Sequence, residues 1–231
     1  MGNEQLTCRS STCRSDEEVA MKIEIWADFI CPFCYIGKRN LEMALKKLHL
    51  EGKVDIRLKS FLLDPYRPLY NGQTYLDELA ENFGSYERAK ELSEHLGYLG
   101  KLVGIEFDFN NVKPTNTLTA HRLLKYAKAY GKELELSERL FLSVFHHGED
   151  IGETAVLIEA ASEIGLNPHE AKTVLLDETA YRVEVKADLA LARKMNISGV
   201  PCFTINDELE FVGAQNIEIF EEALLHFMKH G

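Results

Sequence analysis

Residues 22–47 read KIEIWADFICPFCYIGKRNLEMALKK, in which a strand pattern, two cysteines and a helix pattern follow one another directly. Apolar and charged residues alternate over residues 22–26, as they do in a half-buried strand. After the cysteines, apolar side chains recur at helical spacing, at Leu41, Ala44, Leu45 and Leu48. The run predicts a strand leading into a Cys-x-x-Cys turn, with the two cysteines in the first turn of a helix.

A second strand is predicted after this helix, because Val54, Ile56 and Leu58 alternate with charged residues. Two strands joined by a crossover helix form a βαβ unit, whose strands are parallel and whose connection is right-handed. We therefore expect the first two strands to lie in one sheet.

The middle of the chain changes to helical patterns, which continue to about residue 195. A turn-rich link begins it at Asp64-Pro65, and Asn167-Pro168 has the residue types of a helix N-cap and a first helical position. The last helix of this block is predicted from an apolar stripe at Val183, Ala187, Ala190 and Leu191.

The C-terminal end returns to strands. Residues 201–205 and 209–212 have strand patterns, and the turn Asn206-Asp207 between them predicts a hairpin. A final helix follows, with apolar residues at Ile217, Phe220, Leu224 and Phe227. The order βαβ, helical block, ββα predicts an α/β protein.

The composition limits what the protein can bind. Its 231 residues include 26 basic and 37 acidic side chains, a formal net charge of −11. An acidic surface repels phosphate backbones and anionic lipid, so we predict neither nucleic-acid nor membrane partners. The sequence has no run of roughly 20 apolar residues that could cross a bilayer.

The first twenty residues, MGNEQLTCRSSTCRSDEEVA, lack the apolar segment of a secretory signal and are predicted to be a flexible polar tail. The chain has five cysteines, an odd number that does not suit a disulfide framework. Paired cysteines in such a chain are typical of a reducing compartment, where they serve catalysis or bind metal. We therefore predict a cytoplasmic protein.

Deleting residues 1–20 is expected to leave folding and dithiol activity intact, because this segment has no apolar periodicity with which to bury surface. Circular dichroism and a disulfide-reduction assay on the truncated chain check this expectation. A large loss of turnover would instead mean that Cys8 and Cys13 relay electrons to the dithiol.

Cys31 and Cys34 suit reversible disulfide chemistry. Two cysteines at i and i+3 can close a small ring, and the unpaired N–H groups and dipole of the helix favour a thiolate on the first of them. Pro32 falls near the first helical position, where its missing N–H has no consequence. We predict that Cys31 is the exposed nucleophile and that Cys34 is the more buried resolving thiol.

Other uses of the motif remain open. A Cys-x-x-Cys can be half of a zinc site, but zinc needs two further ligands, and the candidate pair is Cys8 and Cys13 in the tail. The two cysteines could also be unreactive core residues, although a flanking proline at a strand-to-helix turn argues against that. We favour redox chemistry and predict no metal site.

Four segments are similar to proteins of the DsbA superfamily. ADFICPFCYIGKRNLEMAL resembles their opening and SGVPCFTINDELEFVGAQ their closing segment, with NTLTAHRLLKYA and RLFLSVFHHGEDIGE between them. Together they resemble the FrnE-like branch, which lies close to the kappa glutathione transferases and the 2-hydroxychromene-2-carboxylate isomerases. The resemblance implies a thioredoxin fold with a large all-helical insertion. We expect a tail at 1–20, a thioredoxin-like domain at 21–63 and 187–231, and the insertion at 64–186.

The resemblance also implies disulfide oxidoreductase activity. Cys31 and Cys34 match the redox dithiol, Pro201 matches the cis-proline beside it, and Val200 would offer backbone to an extended substrate. A trans proline that begins an edge strand is the alternative for Pro201.

The resemblance also places Asn116 and His121 near the cleft between insertion and core, with a helix-surface or satisfied core histidine as the alternative for His121. Trp26 and Phe29 flank the motif and are candidates to line the substrate groove, with core packing as their alternative. Pro32 and Phe33, between the two cysteines, are also expected to contact substrate.

The implied substrates are protein or small-molecule disulfides and thiols. No bound cofactor is expected, although glutathione or another low-molecular-weight thiol could serve as co-substrate, and a homodimer stays open.

Two residues depart from the family pattern. Ile25 stands where thioredoxin and DsbA carry a buried acid, so proton transfer to Cys34 must use water or another group such as Glu24 or Asp28. Phe33 replaces the histidine of DsbA, so the oxidising strength of DsbA is not implied.

Two other functions remain as alternatives. A glutathione-dependent transferase or isomerase of small aromatic substrates needs one activating group, commonly a serine, and no resolving cysteine. A chaperone-like module with a regulatory dithiol would suppress aggregation with little reductase turnover. The intact pair of Cys31 and Cys34 favours the oxidoreductase. Cys202 is either a third redox thiol or a small buried apolar residue.

Overall fold

The computed structural model describes residues 21–230, so the predicted tail with Cys8 and Cys13 lies outside the described residues. None of the helices between residues 21 and 230 is long and apolar enough to cross a membrane. The elements of this part of the chain are β1 (Lys22–Ala27), α1 (Pro32–Lys47), β2 (Asp55–Ser60), α2 (Tyr75–Phe83), α3 (Tyr86–Leu102), α4 (Leu118–Ala129), α5 (Glu133–Phe145), α6 (Thr154–Glu163), α7 (Pro168–Leu176), α8 (Arg182–Lys194), β3 (Cys202–Ile205), β4 (Glu208–Val212) and α9 (Ile217–His230).

The strands form a mixed sheet in the order β2-β1-β3-β4. β1 and β2 are parallel, as the βαβ pattern predicts, and β3 is antiparallel to both β1 and β4. The hairpin turns at Asn206 and Asp207, whose φ angles of 49° and 70° are both positive, as a type I′ turn requires. The α/β fold, with its thioredoxin order of elements and helical insertion, is confirmed.

The two faces of the sheet bury different side chains. Ile25 belongs to the large core cluster that also contains residues of α1 and α9. Its neighbour Trp26 belongs to a second cluster, with Ala192, Ile197 and Cys202. Successive side chains of a strand point to opposite faces, so α1 and α9 cover one face and the end of α8 covers the other.

A glycine allows α1 to approach the loop before β3 closely. A Cβ atom at Gly37 would lie 3.1 Å from Cγ of Pro201 and 3.1 Å from Cζ of Phe203. Side chains rarely pack that tightly, so a larger residue would push the two elements apart. Gly37 thus lets α1 carry its first turn, with both cysteines, beside Pro201.

Helix α8 differs from its prediction in the face that it buries. The helix begins at Arg182, so residue 187, where the second part of the thioredoxin-like domain is expected to start, lies inside it. Its inward positions include Asp188, whereas Val183 is 74% exposed. The apolar stripe predicted through Val183 is wrong, because a charged side chain occupies an interior position on this helix.

Asp188 belongs to a buried network of charges between the sheet and the insertion. Its carboxylate lies 2.5 Å from Nζ of Lys125 and 3.4 Å from Nζ of Lys59, and it accepts a hydrogen bond from the N–H of Ser60 at 2.9 Å. Lys59 also lies 3.2 Å from Glu24. Each charge in the network therefore has a partner, which burial requires.

Candidate active site at the start of α1

Cys31 is the N-cap of α1, with an extended backbone (φ −95°, ψ 109°), and Pro32 occupies the first helical position. The N–H groups of the first turn and the helix dipole favour negative charge at this end of the helix. The Cys31 side chain is 6% exposed, whereas Cys34, one turn further along, is fully buried. Both are free thiols in this structure.

The loop before β3 faces Cys31. The peptide bond between Val200 and Pro201 is cis, which confirms the prediction for Pro201. Sγ of Cys31 lies 3.8 Å from the carbonyl oxygen of Val200. The backbone carbonyl of Val200 is therefore in contact with the thiol.

Cys34 is held in the thiol form. Burial raises its pKa well above the usual range, and the hydrogen bond and charge of Cys31 raise it further. The backbone N–H of Asp28 opposes this rise, while the Asp28 carboxylate adds to it. Residues 21–230 contain no group of three or more His, Cys, Asp or Glu side chains arranged to hold a metal ion.

Asp28 is a buried carboxylate three residues before Cys31, with 2% of its surface exposed. It accepts hydrogen bonds from the Thr117 hydroxyl at 2.7 Å and from the N–H of Leu63 at 2.8 Å. Nε2 of His121 lies 3.7 Å from Oδ1 of Asp28. Burial raises the pKa of Asp28, but the His121 imidazole and the two donors outweigh it, and the net shift is downward. Asp28 is therefore ionised at neutral pH.

The sequence offers Glu24 and Asp28 as acids for proton transfer, and the structure separates them. Glu24 lies on β1 two residues before Trp26, so the two side chains share one face of the sheet. It is paired there with Lys59, away from the dithiol. Of these two acids, Asp28 is the one whose backbone and charge act on Cys34.

The two residues predicted at the cleft take different positions. His121 is 1% exposed, and its ring centroid lies 4.7 Å from that of Phe29. Neither of its ring nitrogens has a hydrogen-bond partner within residues 21–230. Asn116 donates its side-chain amide to the carbonyl oxygen of Arg67 at 2.8 Å. His121 is therefore buried next to Asp28, and Asn116 is hydrogen-bonded to the loop that contains Arg67.

Trp26 and Phe29 are buried core residues, with 0% and 1% of their surfaces exposed. Trp26 lies on the opposite face of the sheet from the dithiol, and the Phe29 ring packs against Phe141 with centroids 5.2 Å apart. Cys202 shares the Trp26 cluster, and burial raises its pKa to about 11. These three side chains pack the interior instead of meeting the surface at Cys31.

A cavity of about 650 Å³ opens beside Cys31, between the start of α1 and the helical insertion. Pro32, Phe33 and Val200 line it on the side of the dithiol. Leu63, just before the insertion, adds to this side, and the insertion contributes most of the remaining wall, including Arg67, Leu69, Tyr75, Glu78, Leu79, Leu92 and Leu96. The cavity gives small molecules or an extended side chain a route to Cys31.

Tyr75 and the pair Arg67–Glu78 are cavity residues that the sequence reasoning missed. Thr74 caps α2 by accepting a hydrogen bond from the N–H of Asp77, which fixes Tyr75 as the first residue of the helix. The cap predicts where α2 starts but not which element its first turn meets. No local pattern would therefore have indicated that Tyr75 lies near Cys31.

Comparison with known proteins gives consistent matches. The family described as DSBA-like thioredoxin domain matches residues 22–225. A probable DsbA oxidoreductase from Streptomyces coelicolor is 32% identical, with a TM-score of 0.86 over 91% of both chains. The uncharacterized protein YwbO of Bacillus subtilis strain 168 is 28% identical over 208 residues, 89% of this chain and 96% of its own length. A 2-hydroxychromene-2-carboxylate isomerase has a similar fold at 16% identity, with a TM-score of 0.63 over 90% of this chain and 97% of its own.

Proposed function

Because the chain belongs to the family of DSBA-like thioredoxin domains, we propose that it is a thiol–disulfide oxidoreductase with Cys31 as nucleophile and Cys34 as resolving thiol. One observation carries the proposal: a thiol at the N-cap of α1 lines a cavity, and a second, fully buried thiol lies one turn behind it. The helix terminus favours a thiolate on Cys31. Burial and the charge of Cys31 raise the pKa of Cys34, and the second of these effects ends when Cys31 forms a mixed disulfide.

The reaction proceeds in two exchanges. The Cys31 thiolate attacks one sulfur of a substrate disulfide, the substrate S–S bond breaks, and the leaving thiolate takes a proton from water. Cys34 then passes its proton to water and attacks Sγ of Cys31, and the second substrate sulfur leaves as a thiolate that takes up a proton from water. The substrate gains two electrons and two protons, and the protein is left with a Cys31–Cys34 disulfide. Oxidation of a dithiol substrate is the same sequence in reverse.

The charge of Asp28 affects which of the two thiols attacks first. A carboxylate with a lowered pKa is a weak base, so it is a poor final holder of the Cys34 proton. Its negative charge instead disfavours the Cys34 thiolate before Cys31 has reacted. This keeps the first attack with Cys31.

The fold shared with the isomerase keeps a transferase or isomerase of small substrates as a second candidate. That chemistry needs one activating group and gives Cys34 no role. A chaperone-like module with a regulatory dithiol would show little disulfide-reductase turnover. The three functions therefore differ in what the loss of each thiol does.

Native alkylation should distinguish the cysteines. We expect iodoacetamide at pH 7 to modify Cys31 before Cys34 and Cys202, because the pKa values of the latter two are raised and their side chains are fully buried. Peptide mapping by mass spectrometry reads each site separately, and alkylation in urea is the control for accessibility. Equal native rates at Cys31 and Cys34 would contradict the assigned order of attack.

Reduction of insulin with dithiothreitol as electron donor tests the activity. We expect the wild type and Cys202→Ala to accelerate insulin precipitation equally, and Cys31→Ser to match the uncatalysed rate. Cys202→Ala is the matched control, since it removes a fully buried thiol on the other side of the sheet. A wild type that is folded but no faster than dithiothreitol alone would refute the proposal.

A further inference from the structure

A tyrosine without a hydrogen-bond partner lines the cavity beside Cys31. Tyr75 is 5% exposed, and its ring stacks on Phe109 with centroids 5.6 Å apart. Its hydroxyl makes no hydrogen bond with any of residues 21–230. Buried phenols normally find a partner, so this hydroxyl is available to a molecule in the cavity.

The Tyr75 hydroxyl is a donor at neutral pH. Burial raises its pKa, and the negative charges of Cys31 and Glu78 raise it further. The phenol therefore keeps its proton at neutral pH. It can donate to a carbonyl or hydroxyl oxygen of a substrate bound next to Cys31.

The charges that line the described cavity are unbalanced. Arg67 is the cation among these lining residues. Both of its terminal nitrogens donate hydrogen bonds to the Glu78 carboxylate, Nη2 at 2.7 Å from Oε1. Two further carboxylates, Asp64 and Glu81, are exposed, and within residues 21–230 neither has an ion-pair partner. A substrate in the cavity therefore meets two exposed carboxylates and a cation that is already paired with Glu78 and also acted on by the charge of Asp64.

The remaining wall is mostly apolar, with Ile30, Leu63, Leu79, Leu92, Leu96 and Pro114 among its residues. Such a wall favours an uncharged or hydrocarbon portion of a ligand, because its burial removes apolar surface from water. A ligand that carries carboxylates would lose hydration here without gaining a free cation.

We propose that this cavity binds the half of the substrate whose sulfur joins Cys31. It favours neutral or cationic groups over anionic glutathione, and it favours groups with a hydrogen-bond acceptor for the Tyr75 hydroxyl. The proposal rests on the redox function proposed above. In the step concerned, the Cys31 thiolate forms a disulfide with one sulfur of the bound molecule and the other sulfur leaves as a thiolate, which is protonated by water. One disulfide replaces another, so the step needs no further oxidant or reductant.

The charge preference is tested on the full-length Cys34→Ala protein, which stops at the mixed disulfide. The probes are cystamine, which is cationic, and oxidised glutathione, which is anionic, and each rate at Cys31 is divided by the rate of that probe with free N-acetylcysteine. We expect this normalised rate to be about tenfold higher for cystamine than for oxidised glutathione at low salt. The ratio should be smaller at high salt, because salt screens exposed charges.

Two double variants show whether the cavity carboxylates cause this preference. Asp64→Asn with Glu81→Gln should bring the two probes to within about twofold. Glu87→Gln with Glu91→Gln removes the same charge from exposed positions on α3 that do not line the cavity, and should leave the preference unchanged. An equal or faster rate for glutathione, or the same shift in both double variants, would overturn the charge preference.

Tyr75→Phe tests the hydrogen bond while keeping the ring that stacks on Phe109. We expect the rate with N,N′-diacetylcystamine, which has carbonyl acceptors, to fall about fivefold, and the rate with diethyl disulfide, which has none, to stay the same. Equal slowing of both would show that Tyr75 has only a structural role. If no probe forms an adduct at Cys31, the proposed redox function fails; if adducts form without preference, this inference alone fails.

Discussion

Cys31→Ser is expected to lose disulfide-reductase turnover by at least about a thousandfold, because it removes the nucleophile from the helix terminus that stabilises its thiolate. Cys34→Ala should fail differently. Cys31 can still attack, but the mixed disulfide has no resolving thiol. We therefore expect covalent adducts between Cys31 and substrate to accumulate, visible as a mass increase that dithiothreitol reverses.

The comparison between these variants separates the candidate functions. Cys202→Ala is the control, because Cys202 is fully buried in the Trp26 cluster. The oxidoreductase account needs both thiols of the motif. A Cys34→Ala protein with full turnover and no trapped adduct would favour a transferase or isomerase that uses Cys31 alone.

Asp188→Ala is expected to lower the free energy of unfolding by about 3–5 kcal/mol, because it leaves the buried ammonium of Lys125 without its carboxylate partner. Asp188 lies 2.5 Å from Nζ of Lys125 and 3.4 Å from Nζ of Lys59. It also accepts a hydrogen bond from Ser60 on β2. Urea unfolding followed by the fluorescence of Trp26, the single tryptophan, measures the change.

Glu184→Ala is the matched control for this prediction, since Glu184 is an exposed acid on the same helix. Exposed substitutions of this kind usually change stability by no more than about 0.5 kcal/mol. If Asp188→Ala were as mild as Glu184→Ala, the network would not contribute to joining the insertion to the sheet.

The elements around the dithiol could be predicted because their signals are local. Alternation over residues 22–26 indicates β1, and Asn206-Asp207 has residue types that tolerate the positive φ angles of the hairpin turn. Pro32 at the first helical position marks the start of α1. Each of these signals depends on neighbours in the chain, and the structure has each element where it was expected.

Contacts across the fold could not be predicted in the same way. The apolar stripe assigned to α8 failed because Asp188 is paired with Lys125, a residue on α4 that is distant in sequence. Tyr75 was missed because its proximity to Cys31 depends on how the insertion packs against α1. Trp26 was assigned to a groove from its nearness in sequence to the cysteines, although alternation along β1 turns it to the other face.

A redox titration tests the central claim most directly. The wild-type protein is equilibrated in buffers of graded ratio of reduced to oxidised glutathione, quenched by alkylation and mapped by mass spectrometry. We predict one reversible two-electron transition, with a slope of about 30 mV per tenfold change in the ratio of oxidised to reduced protein, and a disulfide that joins Cys31 to Cys34. A folded protein that forms no Cys31–Cys34 disulfide at any ratio would contradict the account.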